Sequence, residues 1–115
     1  LRISGSNKLT HLPAAIGKLR RLIDLSITFA SLEDIPISIG KLNNLETVDF
    51  SGNRLVGLPF NLKTLTSVRS LKLNNNPFIA SLREAIELPN LRQLYLVGCS
   101  MKEFPLDLTN MTMLE

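Results

Sequence analysis

The chain has 115 residues, which is enough for one ordinary domain. Hydrophobic residues make up 44% of the sequence and aromatic residues 5%, so the composition predicts a folded core built from Leu, Ile and Val. The net charge of +3 is too small to predict nucleic-acid binding by itself.

The cysteine count bears on the compartment. Cys99 is the only cysteine, so no internal disulfide can form, which favours a reducing, cytoplasmic location. No signal-peptide pattern opens the chain, and no stretch approaches the roughly 18 apolar residues that a membrane helix needs. We therefore expect no membrane contact.

A period of 23 residues runs along the chain, marked by Leu22, Leu45, Val68, Leu91 and Leu114. Counting each of these as position 1, apolar residues recur at positions 4, 6, 11, 14, 18 and 21, with Ser81 as the exception. The period predicts a single domain, 1–115, made of a partial repeat 1, repeats 2 to 5 and the start of another. Their ranges are 1–21, 22–44, 45–67, 68–90, 91–113 and 114–115.

Repeat 1 is out of step at its start. Leu1 and Ile3 precede their expected positions by one residue, which places an extra residue within 4–6. The same repeat carries a basic stretch, namely Lys8, His11, Lys18, Arg20 and Arg21. This stretch is either a solvated rim or a patch for a polyanion, but no aromatic residues are interleaved to stack on bases, so nucleic acid is an unlikely partner.

Each full repeat predicts one strand and one turn. Apolar positions 4 and 6 alternate with polar positions 3, 5 and 7, which is strand periodicity, as in Leu25–Ile27 and Val48–Phe50. Asn53 and Asn76 at position 9 are expected to be buried and bonded to the backbone, whereas Ala30 and Cys99 lose much of that bonding. Position 15 is usually proline, which sets a turn. In repeat 4 the capping box at 81–84 predicts a short helix over 82–88 instead.

The segment Leu45-x-x-Val48-x-Phe50-x-x-Asn53-x-Leu55-x-x-Leu58-Pro59 resembles the leucine-rich repeat family, in its 23-residue intracellular form. The resemblance covers nearly the whole chain. It implies an α/β fold: a curved solenoid with a parallel sheet on the concave face and turns or short helices on the convex face. Neither end carries a polar cap, so we expect a longer array.

Chemistry-bearing residues are sparse. One histidine, His11, and one cysteine, Cys99, build neither a metal cluster nor a catalytic triad. No glycine-rich phosphate loop is present. We therefore expect no catalytic residues, no cofactor, no metal and no small-molecule substrate.

The outward positions of the strands predict the binding surface. Most are small and polar, as on any solvated sheet. The candidates for partner contact are the aromatic and charged ones, together with one glutamine: Asp24, Phe29, Asp49, Lys72, Gln93 and Tyr95. Aromatic residues are expected to be apolar anchors, although the ring of Phe29 can instead tuck against its neighbours at the strand end.

These features favour a module that binds another protein on its concave sheet. An alternative is the recognition or regulatory arm of a larger enzyme of the GTPase–kinase or ubiquitin-ligase type, since similar repeats occur beside such modules. A third hypothesis is polyanion binding through the basic stretch of repeat 1.

Overall fold

The computed structural model describes residues 1–6, 8–59, 62–77 and 88–99, together with the backbone of 113–114. Within these ranges the strands form one six-stranded sheet in chain order. The strands are β1 (Arg2–Ser4), β2 (Asp24–Thr28), β3 (Thr47–Asp49), β4 (Ser70–Lys72), β5 (Gln93–Tyr95) and β6 (Met113–Leu114). Every neighbouring pair is parallel, which confirms the predicted sheet.

The register follows the sequence period in the middle of the array. Leu25 pairs with Val48, and Val48 with Leu71, so equivalent repeat positions lie side by side. Ser4 pairs with Thr28, 24 residues later, whereas His11 contacts Asp34 at a separation of 23. One extra residue therefore lies between these points, as predicted.

The last strand follows a different spacing. Leu114 pairs with Leu94, whereas a strict period of 23 would place it opposite Leu91. The sequence expectation that Leu114 occupies position 1 of a further repeat thus differs from the pairing of β6. Paired residues of β5 and β6 are 20 residues apart in sequence, three fewer than the period of 23.

In the part of the chain that the structure describes, three 3-10 helices form the layer behind the sheet: Ala14–Lys18, Ile37–Lys41 and Leu62–Thr64. Pro13 and Pro36 precede the first two at φ −67°, the value to which a proline ring restricts the backbone. The predicted helix over 82–88 lies almost entirely outside the described residues.

The core lies between the strands and the 3-10 helices. Strand residues at positions 4 and 6, such as Leu25 and Ile27, are buried against Ile16, Ile39 and their equivalents. Each fully buried Leu or Ile side chain stabilises the fold by about 1.5–3 kcal/mol. Because each repeat closes its core against the next, one face of the sheet is buried and the other is open to solvent.

Candidate functional site: the concave face of the sheet

One shallow depression on the concave face collects most of the predicted contact residues. Its lining includes five of the six candidates, namely Asp24, Asp49, Lys72, Gln93 and Tyr95. They converge because positions 3 and 5 of consecutive repeats point to the same face and the register keeps them aligned. Phe29 lies outside this depression.

The end of the depression near β1 is internally bonded. The Arg2 guanidinium contacts Asp24 Oδ2 at 2.8 Å, and the Thr47 hydroxyl donates to Asp24 Oδ1 at 2.8 Å. The Thr47 hydrogen bond, aided by Arg2, outweighs partial desolvation and holds the pKa of Asp24 below its usual range. Both oxygens of this carboxylate therefore already have partners within the chain.

At the other end of the depression, the charged side chains have fewer partners within the chain. Asp49 accepts a hydrogen bond from the Ser51 amide at 2.9 Å, which closes a local turn after β3. Lys72 lies beside Asp49 in the register, yet its Nζ is placed 5.2 Å from the centroid of the Tyr95 ring. Within the described residues the only ion pairs are Arg2–Asp24 and His11–Asp34. The charge of Lys72 thus faces an aromatic ring and solvent.

Phe29 has an unusual backbone. Its φ is +50°, in the left-handed region, which costs a residue with a side chain about 1–2 kcal/mol. Its ring lies against Gly52, where an added Cβ would come within 2.5 Å of it, but 63% of the residue remains exposed. The ring of Phe29 therefore packs against a neighbouring residue, as one expectation had it, and is also largely exposed, as the other required.

The left-handed turn recurs at position 8 of every repeat from 1 to 5. The other members of this column are Gly5, Gly52, Asn75 and Gly98, all with positive φ. Glycine adopts this conformation without strain and asparagine with little. The run of Gly and Asn was the sequence signal for this column, and it identifies Phe29 as the strained exception.

The position-9 asparagines form a buried ladder, which we call the inner ladder. Asn53 accepts from the Leu32 amide at 3.2 Å and donates to the Ile27 and Phe50 carbonyls, both at 2.7 Å. Asn76 repeats this pattern one layer further along. Both residues are buried, as predicted. At the same position in repeat 5, the thiol of Cys99 retains one such bond, to the Leu73 carbonyl at 3.1 Å.

A second ladder was not anticipated from the sequence. At position 23 of successive repeats, Asn44, Ser67 and Asn90 donate to the backbone carbonyls of Arg20, Asn43 and Thr66. We call this solvent-facing row the edge ladder. Its sequence signal is weak because the row contains two residue types, and Arg21 occupies the same position in repeat 1.

The basic stretch of repeat 1 lies on the surface. Lys8, Lys18, Arg20 and Arg21 are exposed. His11 contacts Asp34 at 2.9 Å, and this hydrogen bond, with the charge of Asp34, raises the pKa of His11 above its usual value. No group of three His, Cys, Asp or Glu residues in the described ranges is arranged to hold a metal ion. The same ranges contain no helix long and apolar enough to cross a bilayer.

Comparison with known proteins agrees with this architecture. Residues 44–65 match the Leucine Rich Repeat family model. The structure is similar to a leucine-rich repeat protein of Leptospira interrogans, with a TM-score of 0.76 and 33% identity over 84% of this chain. It is also similar to the leucine-rich repeat domain of the type III effector XopL, with a TM-score of 0.71 and 31% identity over 78% of this chain.

The chain spans 24% of the first of these solved chains and 33% of the second. No curated protein matches it. The repeat motif, the aligned parallel strands and both likenesses lead to the same assignment. The chain is a leucine-rich repeat solenoid, a fold that generally serves as a protein-interaction module.

Proposed function

We propose that the chain binds another protein on the concave face of its sheet, without carrying out chemistry there. The observation that carries this proposal is the depression in which Asp49, Lys72 and Tyr95 lie together on one face of the sheet. A protein-binding surface needs polar groups that confer specificity and an aromatic residue that contributes buried contact area. This depression contains both.

Mixed charge favours a protein over a nucleic acid as the partner. The depression carries Arg2 and Lys72 but also Asp24 and Asp49. A phosphate backbone is bound by uniformly cationic surfaces, and each carboxylate on the surface repels it. Protein surfaces carry both signs and can match such a pattern.

Size places a limit on how much of the contact this segment supplies. Six strands about 4.8 Å apart span only roughly 24 Å. A stable interface buries about 800 Å² on each partner. We therefore propose that the partner crosses the strands and that flanking repeats share the contact.

Phe29 is a second anchor in this proposal, at the rim of the sheet. A bulky residue in a left-handed conformation is retained at a cost to stability, and such strain is concentrated at functional positions. Its exposed ring offers contact area next to the depression.

The test is a pair of double variants of the protein, measured by binding to its partner. Asp49→Arg with Tyr95→Ala alters the concave face. Glu33→Arg with Ile37→Ala makes the same charge change and removes a comparable apolar side chain away from that face. We expect the concave variant to lose at least tenfold in affinity, the scale of a truncated anchor, and the control to lose less than twofold. Binding lost by the control and kept by the concave variant would show that the face is assigned wrongly.

A second candidate function is the recognition arm of a larger enzyme. It is supported by one similar solved structure, the leucine-rich repeat domain of a type III effector, in which the repeats are one domain of a larger protein. Sequencing the gene on both sides of this segment tests it, since a catalytic domain in the same reading frame is required.

A cytoplasmic location is also a proposal. It is supported by Cys99, which is a free thiol. Fractionation of cells that express the protein at its natural level tests this, and a secreted protein would contradict it.

A further inference from the structure

The fold divides the basic stretch of repeat 1 into two parts. Lys8 follows β1, at the edge of the sheet where the parallel strands end. Lys18, Arg20 and Arg21 precede β2, at the opposite edge, where the strands begin. Because the chain must return to the starting edge before each new parallel strand, a stretch that is continuous in sequence supplies charge to two different surfaces.

The second part of the stretch lines two depressions at the edge where the strands begin. Lys18, Arg20 and Arg21 line the first of them. Arg21 also lines the second, together with Ile23 and Glu46. All three cations are exposed, and none forms an ion pair within the described part of the chain. Like charges so close together repel one another, and a bound anion would relieve that repulsion.

Equivalent positions face solvent in the middle of the array as well. Lys41, Asn43 and Asn44 occupy positions 20, 22 and 23 of repeat 2, which has a repeat on each side, and all three are exposed. Position 2 is likewise exposed in repeats 2 to 5. Leu19 also lines the first depression, but its position, 21, is buried in repeats 2 and 3, so an exposed residue there is not characteristic of this edge.

Positive charge along this edge is concentrated at its start. In the sequence, residues 18–23 contain three cations and no acid. The same positions of the following repeats contain Lys41 and Glu46, then Arg69 alone, then Glu87 and Arg92. Acids therefore accompany the cations further along, whereas the cations of 18–23 are uncompensated.

We propose that a basic edge patch, formed by Lys18, Arg20, Arg21 and Ile23, binds an acidic protein segment that also carries an apolar side chain. The cations bind carboxylates of the segment through charge-assisted hydrogen bonds. Ile23 is 55% exposed and contacts the apolar side chain. The patch lies at an edge of the sheet and not on its concave face, so this contact is additional to the one proposed above and does not depend on it.

An acidic protein segment fits this patch better than a nucleic acid or a lipid surface. Among the described residues that line the two depressions none is aromatic, so a base has no side chain on which to stack. Glu46 in the second depression repels a continuous row of phosphates, whereas a peptide can place an uncharged residue beside it. A flat bilayer does not follow a recessed surface, which a peptide side chain can enter.

The experiment uses a fluorescein-labelled peptide in which Glu alternates with Leu, a single-stranded DNA of equal charge, and phosphatidylserine vesicles. Fluorescence anisotropy measures binding of the first two to the protein, and co-sedimentation measures binding of the vesicles. Lys18→Glu with Arg20→Glu tests the patch. Lys8→Glu with Arg54→Glu is the matched control, because it makes the same charge change at two exposed residues near the opposite edge.

We expect the patch variant to bind the peptide about tenfold more weakly than the unaltered protein, and the control variant less than twofold more weakly. The peptide affinity of the unaltered protein should fall as salt rises. Equal losses in both variants, no binding of the peptide, or binding of the DNA or the vesicles at least as tight as that of the peptide would each overturn the proposal.

Failure of this proposal is distinguishable from failure of the proposed function. The concave variant, Asp49→Arg with Tyr95→Ala, should bind the peptide at least as tightly as the unaltered protein. If it loses both the peptide and the natural partner, the peptide binds the concave face and the edge patch is wrong. If it keeps the natural partner while the patch variant loses the peptide, the patch is right and the concave face is wrong.

Discussion

The inner ladder and the edge ladder use the same kind of bond in opposite surroundings. Asn53 and Asn44 each donate a side-chain amide to a backbone carbonyl of the preceding repeat, at 2.7 Å and 2.9 Å. Asn53 is 6% exposed, whereas Asn44 faces solvent. The two bond lengths barely differ. Water can replace the bond of Asn44, whereas it cannot reach the bond of Asn53.

The contrast shows how polar residues divide their roles in this array. A buried polar group without a partner costs its full desolvation free energy, so the inner ladder specifies the fold. An exposed polar group loses little when its bond breaks, so the edge ladder and the concave face tolerate substitution at little cost to stability.

The largest expected effect is at the inner ladder. Asn53→Ala removes the acceptor for the Leu32 amide and the donor for the Ile27 and Phe50 carbonyls. We expect the free energy of unfolding to fall by about 2–3 kcal/mol, because the Leu32 amide and the Ile27 carbonyl stay buried without these partners, while the Phe50 carbonyl keeps its hydrogen bond from Asn76. Urea unfolding followed by circular dichroism measures this. A loss below about 0.5 kcal/mol would mean that water enters the site and that the contrast is false.

Completing the inner ladder should act in the opposite direction. Ala30 is at the ladder position of repeat 2 and packs partly buried against the core. Ala30→Asn adds an amide within reach of the equivalent carbonyls, so we expect a gain of about 1 kcal/mol in the free energy of unfolding. The same urea titration measures it. A destabilised variant would indicate that the extra residue of repeat 1 has moved those carbonyls out of reach.

At the edge ladder the expected change is smaller. Asn44→Ala exposes the Arg20 carbonyl to water, which replaces the lost bond. We expect the free energy of unfolding to fall by only about 0.5 kcal/mol. Urea unfolding of this variant and of Asn53→Ala under the same conditions gives the ratio of the two losses in free energy of unfolding. Equal losses would refute the role assigned to burial.

The smallest effect concerns a charged bond on the concave face. The pKa of Asp24 is lowered in the folded state by Thr47 and Arg2. Its stabilising contribution is therefore present above its unfolded pKa of about 3.9 and is lost as the pH falls through the folded value. We expect Asp24→Asn to lower the urea midpoint slightly at pH 7, and by a smaller amount as the pH falls below the unfolded pKa. A difference that does not shrink with falling pH would assign the effect to packing.

Sequence alone predicted strands β2 to β5, their parallel order and the inner ladder, because each of these depends on a residue type repeated at a fixed spacing. Leu25, Val48 and Leu71 fall in register for that reason, and Asn53 and Asn76 are buried for the same reason. The extra residue in repeat 1 was also visible, as a phase shift of the period.

The details of the candidate site were beyond the sequence for a physical reason. Lys72 has Asp49 on one side and Tyr95 on the other, and only the side-chain conformation decides which one it faces. Asp24 was a candidate for partner contact, and nothing in its identity reveals that Arg2 and Thr47 already bond to its oxygens. The role of the six candidate residues in partner binding stays a prediction.

The direction of the ladder bonds has a mechanical consequence. In both ladders the side chains of one repeat are hydrogen-bonded to backbone carbonyls of the preceding repeat. A force applied between the chain ends therefore acts on the repeats in series. The less stable terminal repeat should then unfold first and leave the next repeat exposed at the end of the array. Each released repeat adds 23 residues of extended chain, roughly 8 nm. Optical-tweezer traces should show steps of that length. A single all-or-none extension would mean that the repeats unfold cooperatively.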